Sequence, residues 1–265
     1  MSDLWVVIGL ALLPGLGNLA GGMMAEFGRT TPRLLNLALH AASGIVLGVV
    51  AIELMPEALD NLAGWWIAAS FAAGGAAYVG AESLIEKMST SKNGGGSSMW
   101  MIYVAVAVDL SGDGLMIGTG SAVATSLAVV LAAGQVLADL PEGYSVVANL
   151  KEKDVPRTRR IAASLSFPLF CLGAALIAWF LLRSAPDAVR YVTLSFVAGL
   201  LSVAAVEDML EEAHEAATDN RTSALAFIGG FVLFTLVSAG LEAVMGDGSM
   251  GGQGGADRQE ISDAV

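Results

Sequence analysis

Apolar stretches of about twenty residues recur along nearly the whole chain, and that recurrence decides the class of fold. A helix that crosses a bilayer needs roughly 20 mainly apolar residues. Candidate stretches lie at about 4–24, 34–55, 64–85, 99–119, 122–149, 161–182, 188–210 and 223–244. They predict an all-α integral membrane protein, an eight-transmembrane-helix bundle over residues 1–245. The segment 246–265 is Gly-rich and polar and is expected to be a disordered tail. The connectors are short, the longest being a flexible-looking stretch at about 86–98.

Composition agrees. Of 265 residues, 55% are hydrophobic and only 14% charged, where soluble domains carry about 25%. The 32 glycines suit helices that pack closely in lipid. A net charge of −12 excludes a phosphate backbone as partner, so no nucleic acid is expected. The single cysteine, Cys171, rules out an internal disulfide framework and reads as a small packing residue, as the methionines do. The start of the chain lacks a basic leader and carries Asp3, so it reads as a retained first helix. With the N-terminus outside, ten of the thirteen Lys and Arg residues fall in cytoplasmic loops, Lys151, Lys153, Arg157, Arg159 and Arg160 among them. Arg183, Arg190 and Arg258 remain outside. The expectation is a multi-pass protein of the cell membrane with both termini extracytoplasmic.

Charged residues within lipid are the informative ones, since an Asp near a helix centre costs about 2.5–3.5 kcal/mol on insertion scales. Asp109 and Asp113 stand four residues apart in the fourth stretch and share one helix face. Asp139 and Glu142, three apart in the fifth, do the same, with Gln135 one turn above Asp139. No Lys or Arg lies in either stretch. Four such carboxylates must be protonated, hydrated or paired with a cation. Gly112 and Pro141 each precede an acid, so helices 4 and 5 are expected to be broken there and to line a cavity. Glu53, Glu82, Glu207 and Asp208, each taken alone, read as interfacial acids. His40 reads as a hydrogen-bonded residue of the second stretch, and His214 as a solvated loop residue.

At these residues the chain resembles the ZIP (Zrt-, Irt-like protein) family of divalent metal transporters. The stretch Asp109-Leu110-Ser111-Gly112-Asp113-Gly114 falls on the family's His-Asn-x-Pro-Glu-Gly motif, and Asp139-Leu140-Pro141-Glu142-Gly143 on its second acid-bearing motif. Glu53-Leu54-Met55-Pro56 and Glu207-Asp208-Met209-Leu210-Glu211 are similar to further family stretches. The resemblance implies a metal site at Asp109, Asp113, Asp139 and Glu142, between helices 4 and 5. It implies a pathway through Glu53, Gln135, Glu207, Asp208 and Glu211, alternating access, and a homodimer, which the residues themselves leave open. Asp109 replaces the family's ligand His, and Leu110 its Asn. Phe167 stands where several bacterial members place a Glu, so a second metal of a binuclear site is not expected. The His-rich loop of many members is missing, since residues 86–98 contain no His. The family favours Zn²⁺ or Fe²⁺, whereas carboxylates without imidazole favour Mn²⁺. The metal is cargo, and no resident cofactor is expected.

Three other readings stay open. A proton- or Na⁺-coupled carrier of another solute would also need intramembrane acids. A relative that senses or buffers metal without moving it would keep the same residues. An intramembrane aspartyl or metal-dependent enzyme fits less well, since a phosphotransferase would place Arg or Lys beside the acids; an enzyme is not expected.

Overall fold

The computed structural model describes residues 2–28, 31–90, 97–217 and 221–250, and all of its regular structure is helical. Of the predicted linker at 86–98, residues 86–90 belong to α4 and 97–98 to α5, and 91–96 lie outside the described residues, as does the end of the predicted tail. The helices are α1 (Ser2–Phe27), α2 (Pro32–Val49), α3 (Met55–Asn61), α4 (Gly64–Thr90), α5 (Ser97–Val123), α6 (Thr125–Glu152), α7 (Arg157–Leu182), α8 (Asp187–Ala204), α9 (Glu211–Ala216) and α10 (Arg221–Met250). Short π-helical segments, Val50–Leu54 and Ala205–Leu210, join α2 to α3 and α8 to α9 into two longer rods.

Local signals start these helices where the chain needs them. Thr31 accepts a hydrogen bond from the Leu34 N–H at 3.4 Å, and Pro32 opens α2 with a φ already helical. Pro156 and Pro186 occupy the N-cap positions of α7 and α8. Asp154, at φ 53°, makes the turn from α6 into α7.

Among the described residues, six segments are long and apolar enough to cross a membrane: Asp3–Phe27, Pro32–Asn61, Met99–Val123, Arg157–Leu182, Asp187–Ala216 and Arg221–Met245. The protein is therefore an all-α, multi-pass membrane protein. Two of the eight expected spans, now α4 and α6, are as long as the others at 27 and 28 residues but less apolar. Gln135, Asp139, Glu142 and Asn149 dilute α6, and glycines with Ser70, Glu82 and Ser83 dilute α4. Large apolar side chains cover the outside, Leu181, Leu225 and Leu236 among them. Trp5, Trp65 and Trp66 stand near helix starts and are exposed, as residues at a lipid–water interface are.

The expected breaks in the fourth and fifth helices do not occur. α5 runs unbroken through Gly112, and α6 through Pro141. Pro141 removes one backbone donor, and the loss is local because α1 clamps α6 on both sides of it. A Cβ on Gly21 would collide with the Leu140 carbonyl, and one on Gly143 with the Asn18 carbonyl, so the two backbones lie in direct contact. The connection also comes later than expected: Ala122 and Val123 end α5, and extended Ala124 separates it from α6. The irregular backbone appears in the second and seventh rods instead, at Glu53 and at Glu207–Asp208.

Element boundaries repeat after 155 residues. Ser2–Phe27 recurs as Arg157–Leu182, Pro32–Val49 as Asp187–Ala204, and the π segment starting at Val50 as the one starting at Ala205. Gly15 lies against Pro168 and Gly22 against Ser164, so α1 and α7 run antiparallel. The chain is thus an inverted pair of three-rod units with α5 and α6 between them. Packing follows the same two-fold pattern: α1 on α6 matches α7 on α5, and α2 on α10 matches α8 on α4. Helices α1, α5, α6 and α7 form one group and α2, α4, α8 and α10 the other, meeting along α2–α6 and α5–α8.

Close packing at the α1–α6 contact has a measurable consequence. Gly21→Leu should lower the thermal unfolding temperature of the solubilised protein, by the equivalent of about 1–3 kcal/mol or more. Gly173→Ala, where nothing stands within 4 Å of the new methyl, should leave it unchanged or slightly raised. Equal effects at the two positions would contradict the packing.

Candidate functional site

The acids singled out in the sequence meet between α5 and α6. Along α6, Gln135, Asp139, Glu142, Ser145 and Asn149 recur at spacings of three and four, which makes one polar stripe. Asp109 and Asp113 face that stripe from α5. Their steps of three and four residues separate the acids by about 4.5–6 Å along each axis, so the four carboxylates form two layers. In one layer the Gln135 amide donates to Asp113 Oδ1 at 2.5 Å and to Asp139 Oδ1 at 3.0 Å. Carboxylates in this role only accept, which sets the orientation of the amide. In the other layer Asp109 and Glu142 lie within hydrogen-bonding reach of each other. Asn18 of α1 donates to Glu142 Oε1 at 3.4 Å.

All four acids and Gln135 are buried, with Asp139 fully inaccessible. Asp113 Oδ2, Asp139 Oδ2 and Glu142 Oε2 have no hydrogen-bond partner among the described residues. Glu26 pairs with Arg157 and Arg160, and Asp187 with Arg190; none of these ion pairs involves the four acids. A pair of facing carboxyl groups is held by a shared proton or by a cation between them. Among the described residues, no three His, Cys, Asp or Glu groups converge on one point as a closed ligand cage would. The geometry is a ladder of two facing pairs rather than a single four-acid cage.

A cavity of about 370 Å³ ends on the Asp109–Glu142 layer. Glu82, Glu207, Asp208, Glu211, Glu212 and Glu215 line its wider part, with Ile102, Val106 and Val146 on its walls. Asp113, Asp139 and Gln135 lie beyond its end. Past them, Met116 and Ile117 of α5, Leu131 of α6 and Val49 and Val50 of the second span belong to one apolar cluster on the far side. The ladder is therefore open to one end of the molecule and sealed from the other. The open end lies toward Asn149 and the Lys151 end of α6.

The remaining pathway residues divide. Glu207, Asp208 and Glu211 line the cavity. Glu53 does not; it is buried in the first π segment, where the Ser238 hydroxyl donates to it. Asp208, in the second π segment, takes the matching place and accepts from the Tyr78 hydroxyl. Sequence reasoning passed over Asn18, Tyr78, Ser238, Ser145 and Asn149. Ser145 and Asn149 both donate to Glu212 and tie α6 to α9 across the two helix groups. Their place on the Asp139–Glu142 stripe was the available signal. The histidines also differ from expectation: His214 lies on α9 rather than in a loop, with its ring against that of His40.

No family model matches the chain, and no curated protein does either. The resemblance drawn from the motifs rests on the motif residues alone.

Like charges in one buried layer oppose folding unless something joins them. In chelator-treated protein, Asp113→Asn should melt at the same temperature as the wild type or higher, by about 2–4 °C for each kcal/mol of repulsion removed. A clear loss of stability would mean that Asp113 is held by a partner other than a cation.

Proposed function

We propose that this protein is a carrier of divalent metal cations of the ZIP type, moving the ion through the α5–α6 carboxylate ladder. The observation that carries this reading is the set of buried carboxylate oxygens without partners, Asp113 Oδ2, Asp139 Oδ2 and Glu142 Oε2, at the end of an acid-lined cavity. A cation is the group that such oxygens lack. Carboxylate oxygens bind Mn²⁺ readily, and Zn²⁺ at about 2.0–2.2 Å.

In this reading α4 and α6 also span the bilayer, giving eight spans. Each packs along a more apolar spanning segment, α4 on α8 and α6 on α1, so its polar residues need not face lipid. The open end of the cavity, near Lys151 and Arg157, faces the cytoplasm by the distribution of basic residues. A cation enters from the outer side past Glu53 and exchanges water for the Asp113–Asp139 layer, then for the Asp109–Glu142 layer. It leaves past Glu207, Asp208 and Glu211. The negative cavity raises the local cation concentration and gives a released ion successive weak sites. The inverted repeat supports alternating access, because each unit can take up on its own side the packing that its counterpart has here.

The test is uptake into proteoliposomes, with Zn²⁺, Mn²⁺ and Fe²⁺ offered in parallel. Wild-type protein should show saturable uptake, and Glu142→Gln should reduce it by about 100-fold or more while remaining folded. Uptake at the native rate in that variant would remove the ladder from the pathway. Transport that needs a Na⁺ or pH gradient and ignores divalent ions would favour a carrier of another solute.

Access should also be one-sided. In the protein as described, a cysteine at Val146, on the cavity wall, should react with a water-soluble thiol reagent. A cysteine at Leu131, in the apolar seal with no exposed surface, should react at least about tenfold more slowly. Equal rates would contradict a seal on that side.

A further inference from the structure

A second cavity, of about 560 Å³, lies beside the start of α6, whereas the acid-lined one opens toward the Lys151 end of that helix. The ends of α5 and α7 and the starts of α1, α6 and α8 surround it. It is basic where the first is acidic: Arg183 and Arg190 line it, against one acid, Asp3.

The two arginines have different tasks. Arg190 is committed to the protein. Its guanidinium donates to the carbonyls of Leu182, at 3.0 Å, and Arg183, at 2.8 Å, and to the Asp187 carboxylate at 3.2 Å, which fixes the turn from α7 to α8. Arg183 is held by its face. Its Cζ lies 5.0 Å from the centre of the Trp179 ring and 4.9 Å from that of Phe180. Stacking occupies the face of a guanidinium and leaves its N–H groups, which point outward in the plane, able to donate. Among the described residues no carboxylate or carbonyl accepts from them.

Further donors border the same space. The Ser121 hydroxyl is on the lining, and its buried oxygen has no hydrogen-bond partner among the described residues. Ala124 and Thr125 also line the cavity, and Ala124, at the N-cap of α6, has no side-chain oxygen for the first N–H groups of that helix. A guanidinium, a hydroxyl and an open helix start together suit a phosphate group. The other walls are apolar, with Leu4, Val123, Trp179 and Phe180. Phe180 and its neighbour Leu181 are exposed on the outside of α7, so the rim continues into the surface that meets lipid.

We propose that this cavity binds the phosphate of an anionic phospholipid headgroup, with Arg183 as the principal donor and Arg190 holding the turn that carries it. Free phosphate has the same oxygens but nothing to cover the apolar walls and rim. A headgroup seated there joins the α5–α6 connection to the α7–α8 turn. The cavity shares no residue with the carboxylate ladder, so this site and the proposed transport can fail separately.

Native mass spectrometry of the purified full-length protein counts the lipids retained when phosphatidylglycerol or phosphatidylcholine is added at equal concentration. The wild type should retain one phosphatidylglycerol in preference to phosphatidylcholine. Arg183→Gln, at an exposed position just after α7, should weaken that retention by about tenfold or more. Arg159→Gln, the same loss of charge at an exposed position of the opposite end, should leave it unchanged. Millimolar inorganic phosphate should not displace the lipid. Unchanged retention in Arg183→Gln, equal weakening in the two variants, or no preference for phosphatidylglycerol would each overturn the proposal. Displacement by inorganic phosphate would overturn the lipid as the source of the bound group.

Discussion

Four carboxylates and one amide are buried between two helices with no cationic side chain among their described ion pairs, and the arrangement around them answers that constraint. A single amide, Gln135, bridges Asp113 and Asp139, and Asn18 supports Glu142. These bonds satisfy part of each acid and leave oxygen lone pairs facing the gap between α5 and α6. A buried charge without a partner is costly in a low-dielectric interior. In the proposed carrier, a mobile cation would supply the missing charge at both layers.

The fold presents that ladder asymmetrically while being built from two equivalent halves. Units related by a shift of 155 residues and by inversion flank α5 and α6. Their counterpart acids, Glu53 and Asp208, sit in π segments, each bonded by a hydroxyl from a neighbouring long helix, Ser238 or Tyr78. Asp208 faces the open cavity and Glu53 is enclosed. In the proposed carrier, such symmetry would offer a second arrangement of comparable packing. Direct backbone contacts, as between Gly21 and Leu140 or Gly143 and Asn18, join α1 and α6 tightly, so the motion of the proposed carrier would fall at the boundary between the helix groups.

Much of the ladder was legible in the sequence because charge in lipid is expensive: Asp109, Asp113, Asp139 and Glu142 stand out in apolar surroundings. Uncharged Ser145 and Asn149 carry a smaller penalty and were overlooked, although they share the same face of α6. Backbone breaks were misplaced for a related reason. Pro141 and Gly112 weaken a helix locally, but whether it opens depends on what packs beside it, and α1 holds α6 closed. The inverted repeat is written in element spacing rather than in residue identity; the pairs Gly44 and Gly199, or Glu53 and Asp208, give only faint signs of it. Contacts across the fold, such as His40 with His214, have no local signature in the chain.

Where a divalent cation resides in the protein decides most directly whether the carboxylate ladder is its path. Anomalous diffraction from crystals grown with Mn²⁺ or Zn²⁺ would locate it. A peak is expected between α5 and α6, in contact with the Asp109–Glu142 or the Asp113–Asp139 layer. Peaks confined to the exposed acids of the cavity mouth at saturating metal, with none between the two helices, would contradict it.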